Sequence, residues 1–335
     1  MGFVTSNPEN HLITKTLNKG CCTASPSQQE ILLNELNKRK SKRVKIKVPK
    51  EAKEENQKTI NNNKEDEREE NLEDEGGSSQ IKQREVIYGS HLVQGKMNHG
   101  MEDYIVTEER HVDDHVLGLF AIFDGHSGRD VTEYLQSHLF DNILSQSDFW
   151  EDPEGAIRRA YKATDEEILA KKVGKRGGST AVTAILIDGR KLIVAHVGDS
   201  RAVICRNGSA KPITVDHEPE EEKELVESRG GFVVQMPGSV PRVDGQLAMS
   251  RAFGDARLKE HITSEPDIRI LTIDNETEFT ILASDGLWKV MSNQEACDCI
   301  REMGMDPQKA SEKLIKEALT KMSYDDISCV VVTFH

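Results

Sequence analysis

The residues His115-Val-Leu-Gly-Leu-Phe-Ala-Ile-Phe123 form an apolar run too short for a useful helix, which predicts a buried strand. On either side the apolar positions change period. Val86–Gly95 alternates as a strand running into a turn, while Ser127–Leu144 carries Val131, Tyr134, Leu135, Leu139 and Ile143 at helical spacing. A second helix is predicted over Pro153–Lys171, with proline in the first turn and Ile157, Ala160, Tyr161, Thr164 and Ile168 on the buried side.

From Gly177 the period returns to that of strands. Gly177–Ile187 ends at Asp188-Gly189, Lys191–Val197 returns to Gly198-Asp199-Ser200, and Ala202–Arg206 ends at Asn207-Gly208. Such tight turn dipeptides predict an antiparallel meander. A charged helix is expected over Glu218–Arg229 and a surface flap over Phe232–Gly245. Further strands are expected at Asp267–Ile273, at Glu278 to Ala283 and at Ile327–Phe334, with helices at Ser292–Glu302 and Pro307–Met322.

Residues 1–80 do not share this pattern. They are poor in apolar side chains and rich in Asn, Lys, Glu and Ser, so they offer little apolar surface to offset the entropy of ordering. The division expected is a disordered or low-complexity tail over 1–80 and a folded domain over 81–335. Lys38–Arg43 opens a basic run, Lys64–Glu75 is acidic, Gly76–Ser79 reads as a linker, and Gln28–Lys40 suits a short helix. Two targeting readings stand side by side: nuclear import from the basic run, and N-myristoylation from Met1-Gly2-Phe-Val-Thr-Ser6. The first places the protein in the nucleus or cytoplasm, and the second adds a membrane anchor.

The net charge of −14 falls wholly on residues 81–335, because the tail is balanced. An acidic body argues against nucleic acid as its partner and is compatible with a site that concentrates divalent cations. The six cysteines include no CxxC pair and suggest neither zinc nor a disulfide framework, which favours a reducing, intracellular setting. No stretch approaches 18 consecutive apolar residues, so no transmembrane segment is expected.

The chemistry lies at the strand borders. Five carry acidic residues: Glu102-Asp103, Asp124-Gly125, Asp199, Asp285-Gly286 and Asp325-Asp326. Asp-Gly is also a common turn, so each border alone is ambiguous. Strand ends gather at one rim of a sheet-rich core, where clustered carboxylates would repel unless divalent cations held them. An all-oxygen set points to magnesium or manganese. Two such ions would generate a hydroxide nucleophile and clamp a phosphoryl group.

Met101-Glu-Asp103, Phe123-Asp-Gly-His126, Gly177-Gly-Ser-Thr180, Gly198-Asp-Ser-Arg201, Ser250-Arg-Ala-Phe-Gly-Asp255, Ala283-Ser-Asp-Gly-Leu-Trp288 and Asp325-Asp-Ile-Ser328 together resemble the metal-dependent protein phosphatase family, type 2C, and plant members most. The resemblance covers residues 86–334 with the motifs in the family's order. It implies an α+β fold, a central antiparallel β-sandwich flanked by helix pairs in four αββα layers, with the metals in a cleft at one end. It implies that Asp103, Asp124, the carbonyl of Gly125, Asp285 and Asp325 hold two Mg²⁺ or Mn²⁺ ions, some through water. Glu102, Asp199 and Asp326 adjoin that site or serve a third ion. His126 would protonate the leaving seryl or threonyl oxygen, and Arg251 and Asp255 would form a buried structural ion pair.

The sequence departs from the family in two places near the site. Asn98 stands where a phosphate-binding arginine is frequent, leaving Lys96 as the phosphate-binding candidate, and Lys289 stands where an aspartate helps hold a third metal, so two ions are expected and a third is weak. The flap places Met236 where members inhibited by plant abscisic-acid receptors have tryptophan, so no such role is expected. The function implied is hydrolysis of phosphoserine and phosphothreonine in proteins, kinases or their targets, by a monomer. The alternatives are a non-catalytic, kinase-binding member of the fold and a phosphatase of small phosphate esters.

Overall fold

The structure is a computed structural model that describes residues 43–44 and 85–335. The expected tail with its targeting signals, acidic run and short helix lies outside the described residues, apart from Arg43–Val44, which pair antiparallel with Val86–Ile87.

Two antiparallel sheets stack face to face. One runs in the order Arg43–Val44, Val86–Val93, Ile327–Phe334, Thr277–Ala283, Arg201–Arg206, Ser209–Pro212. The other runs Asp267–Thr272, Lys191–Val197, Ala181–Ile187, His115–Phe123, Tyr104–Val112. Both inner strands are buried on two faces, which is why their sequences read as continuous apolar runs. Along His115–Phe123 the side chains alternate between layers. Val116, Phe120 and Ile122 enter the core between the sheets, whereas Leu117, Leu119, Ala121 and Phe123 face a second core with the helices Asp130–Leu144 and Pro153–Lys171. A third core lies between the other sheet and the helices Asn293–Glu302 and Pro307–Thr320. The result is the expected αββα sandwich.

Most elements fall where the pattern placed them, and the differences have local causes. The first long helix starts at Asp130 because Ser127 and Gly128 take positive φ. The next is capped by the Asp152 side chain, which accepts from the Gly155 N–H, with Pro153 in the first turn. The charged helix spans Lys223–Ser228 only; Pro219 and the run Glu220-Glu221-Glu222 precede it, and neither proline nor adjacent like charges favour extending it backward. The flap contains a short hairpin, Val233–Gln235 with Pro241–Val243.

The expected meander is the main correction. Ala181–Ile187 and Lys191–Val197 do form a hairpin, as do Arg201–Arg206 and Ser209–Pro212. The turn between them does not join neighbours in one sheet: Gly198, at φ 99°, and the two residues after it carry the chain from one sheet to the other. The expected strand from Gly177 is also divided, because Gly178–Ser179 pairs instead with Gly125–His126 and Phe253–Gly254 in a small separate sheet.

Candidate metal centre

The two sheets deliver their acidic ends to one place. Asp124 follows the strand His115–Phe123, Asp103 precedes Tyr104–Val112, Asp199 lies in the turn that changes sheets, and Asp285 follows Thr277–Ala283. Carboxylate oxygens of Asp124, Asp199 and Asp285 lie within 4.8 Å of one another. Asp103, Asp285, Asp199 and Asp325 all add to the negative potential at Asp124, and burial together with that repulsion holds its carboxyl well above the usual range. The same two causes, burial first, push Asp103 up to about 7 and Asp199 up to about 8. Asp285 is raised by burial and by Asp325, against the opposing ammonium of Lys289.

Charge of one sign has been gathered here without enough internal compensation. Oδ1 of Asp103 and Oδ1 of Asp199 are buried with no hydrogen-bond partner among the described residues. Such orphaned acceptors are costly unless a cation completes them. The donors are all oxygens, as hard divalent cations prefer, and no cysteine or histidine belongs to the cluster. The residues therefore fit magnesium or manganese.

Neighbouring side chains hold the Asp103 carboxylate and the backbone at Asp124 and Asp199 in place. The Ser328 hydroxyl donates to Oδ2 of Asp103 at 2.7 Å. The Asp124 N–H donates to Oγ1 of Thr180, whose own N–H donates to the Asp124 carbonyl at 2.9 Å, and Thr180 also meets the Ser200 hydroxyl at 2.7 Å beside Asp199. At Gly125 a Cβ would fall 2.7 Å from the Glu102 carbonyl oxygen, so only glycine lets these two segments approach.

The expected third-metal and adjoining residues separate. Asp199 joins the central cluster. Asp326 has both carboxylate oxygens in use, accepting from the N–H of Gly95 at 2.7 Å and of Glu102 at 2.8 Å. Glu102 accepts from the Gly128 N–H through Oε1 at 2.7 Å. Lys289 forms ion pairs with Asp285 and, at 3.5 Å, with Asp325, which places its ammonium on the edge of the cluster.

Two expectations at the periphery are corrected. Arg251 and Asp255 do not pair. Arg251 binds Glu222 and Asp267, whereas Asp255 takes the Nε2–H of His126 at 2.7 Å. Gly254 and Asp255 both have positive φ, so the chain turns sharply between the two side chains. Lys96 is exposed, and its ammonium sits 5.6 Å from the centre of the Tyr324 ring rather than among the residues lining the cleft.

The cluster forms the floor of a cleft of about 870 Å³, also lined by Met97, His99, His126 and the flap residues Val240–Arg242. Three guanidiniums that sequence reasoning missed, Arg176, Arg242 and Arg257, line it as well. Arg176 follows Lys175 in a basic loop, Arg242 lies in the flap hairpin and Arg257 in a turn, and none of these settings by itself signals a site.

Comparison with known proteins bears on the family and the fold. The family model described as Protein phosphatase 2C matches residues 88–327. An Arabidopsis thaliana protein named "Probable protein phosphatase 2C 28" is 63% identical over 252 residues, which cover 75% of this chain and 74% of the relative. Another from the same plant, "Probable protein phosphatase 2C 58", is 60% identical over 254 residues, 75% of this chain and 89% of the relative. The crystal structure of a serine-threonine phosphatase 2C from Toxoplasma gondii shares the fold, with a TM-score of 0.62 at 24% identity, over 75% of this chain and 95% of that one.

Proposed function

This chain belongs to the protein phosphatase 2C family, and on that premise we propose that it is a metal-dependent protein serine/threonine phosphatase. The observation that carries this reading is the convergence of buried Asp103 with half-buried Asp124, Asp199 and Asp285, the last three lining an open cleft, with one carboxylate oxygen of Asp103 and one of Asp199 left unpartnered.

Asp103, Asp124, the Gly125 carbonyl, Asp285 and Asp325 would hold two Mg²⁺ or Mn²⁺ ions, with Asp199 beside them. When bound, such ions supply activated water and neutralise charge on the phosphoryl oxygens. The chain's own part is positional and protonic. Ser328 fixes the Asp103 carboxylate and Thr180 the Asp124 backbone before any ion arrives, which limits reorganisation on binding. His126 faces the same cleft and would give a proton to the departing alkoxide. Because Asp255 holds Nε2–H, the proton exchanged would be the one on Nδ1, which has no hydrogen-bond partner among the described residues.

We further propose that residues 81–335 act as a monomeric catalytic domain on phosphorylated kinases or their targets, within the nucleus or cytoplasm. No helix among the described residues is long and apolar enough to cross a membrane.

The test is phosphate release from a phosphothreonine peptide with Mn²⁺, Mg²⁺ or chelator, beside Asp124→Ala and Asp285→Ala. Metal-dependent turnover that both substitutions abolish is the expected result. A folded protein without turnover at any metal concentration would sink the enzyme reading in favour of a kinase-binding role.

A further inference from the structure

Of the guanidiniums lining the cleft, Arg201 is tied down by a two-pronged pairing with Asp216, at 3.0 and 2.7 Å. Arg176, Arg242 and Arg257 differ: among the described residues none of the three has a carboxylate within ion-pair distance. Eight other described arginines, including Arg251 and Arg158, are paired with acids. Arg190, Arg229 and Arg269 also lack an acidic partner among the described residues but do not line the cleft, so what sets the three apart needs a reason beyond pairing.

Their position supplies one. Arg176 directly precedes Gly177, where a Cβ would fall 2.7 Å from the His126 carbonyl oxygen. Arg257 lies two residues beyond Asp255, whose N–H donates to the Gly177 carbonyl at 3.0 Å. Both therefore sit at the His126 end of the cleft, and both are exposed. Lys172 and Lys175, exposed and without ion pairs, extend the positive edge beside Arg176. Arg242, on the flap hairpin, donates only to the Gln246 carbonyl, at 2.6 Å.

If His126 protonates the leaving oxygen, the polypeptide that carries the phosphorylated residue must emerge at that same end. Guanidiniums there meet the flanking residues of the substrate, and the phosphoryl group stays over the carboxylate floor. We propose that Arg176 and Arg257, supported by Arg242, select phosphoprotein segments with acidic side chains next to the phosphorylated serine or threonine. Guanidinium pairs carboxylates in a two-pronged geometry, which suits it to this task better than an ammonium. This inference rests on the phosphatase reading above.

The experiment compares kcat/KM of the full chain with Mn²⁺ on phosphothreonine peptides whose flanking residues are Asp, Ala or Lys, and on p-nitrophenyl phosphate. The wild type is expected to favour the Asp-flanked over the Lys-flanked peptide by at least ~10-fold, a margin that shrinks with added salt. Arg176→Glu with Arg257→Glu should reverse the order, and Arg176→Gln with Arg257→Gln should level it. Equal kcat/KM across flanks in the wild type, or a preference that survives both double variants, overturns the inference while leaving the phosphatase reading intact. Absence of turnover on every peptide and on the small ester overturns both.

Discussion

His126 donates its Nε2 hydrogen to Asp255 at 2.7 Å, and Asp255 is only 6% exposed. A buried carboxylate on one ring nitrogen orients the imidazole and fixes its tautomer. Asp255→Asn should therefore lower kcat by roughly 10- to 100-fold with a much smaller change in KM, since general acid catalysis contributes about 10²–10⁴-fold in all. Combined with His126→Asn it should cost no more than His126→Asn alone. Steady-state kinetics over the full double-mutant cycle checks this, and additive losses would show that the two residues act separately.

Divalent ions should stabilise the fold as well as activate it. A ligand that binds only the native state raises the melting temperature with its concentration. Melting curves with increasing Mn²⁺ should move upward for the wild type and stay nearly still for Asp124→Ala and Asp285→Ala. A shift of equal size in these variants would mean that the ions bind elsewhere.

The carboxylate cluster makes the metal-free protein sensitive to alkali. Asp103 is raised to about 7 and Asp199 to about 8, both above their unfolded value of 3.8. The folded state therefore binds more protons than the unfolded chain between about pH 4 and pH 8, so stability falls as pH rises through that window. In chelator, melting temperature should drop from pH 5.5 to pH 8.5 more for the wild type than for Asp199→Asn. With saturating Mn²⁺, which takes over the compensation of charge, the difference should close. A flat profile in chelator would show that the carboxylates do not repel one another as described.

Lys289 competes with cations for Asp285 and Asp325, which it contacts directly. Lys289→Gln should tighten Mg²⁺ binding measured by calorimetry by about 3- to 10-fold, and Lys289→Asp should raise the number of ions bound at equilibrium. Tighter binding is not expected if the ammonium swings clear whenever an ion enters.

Gly125→Ala places a methyl group 2.7 Å from the Glu102 carbonyl oxygen and 2.9 Å from Cγ2 of Thr132. Overpacking of this kind costs ~1–3 kcal/mol. Denaturant unfolding should record that loss, together with weaker metal binding, because the two segments that separate are those bearing Asp103 and Asp124.

Much of the fold was legible because its strands are short, apolar and closed by turn dipeptides. His115–Phe123 and Ile327–Phe334 were delimited to the residue. What remained hidden were relations that a linear pattern cannot carry. The Gly198–Ser200 segment has the composition of a hairpin turn, and only the partners of the strands on either side reveal that it crosses between sheets. The family resemblance implied that Arg251 and Asp255 pair, but the positive φ of Gly254 and Asp255 turns the chain between them, and each found another partner. The acidic borders were visible one by one as turns, and their shared site followed from the expectation that strand ends meet at one rim. Arg176 and Arg257 gave no sign, because an exposed basic side chain in a loop looks the same whether or not it faces a cleft.

The strand Ile327–Phe334 lies between Val86–Val93 and Thr277–Ala283, near the middle of its sheet, and Asp325 and Asp326 immediately precede it. Through Asp326 it also fastens the backbone that leads to Asp103. The last-synthesised of these strands is thus the one that closes the sheet and aligns its acidic ends. A polypeptide that stops short of it, whether still on the ribosome or clipped by a protease, lacks both the central strand and the carboxylates beside it. Such a truncated chain should therefore have no complete carboxylate site with which to hold an ion.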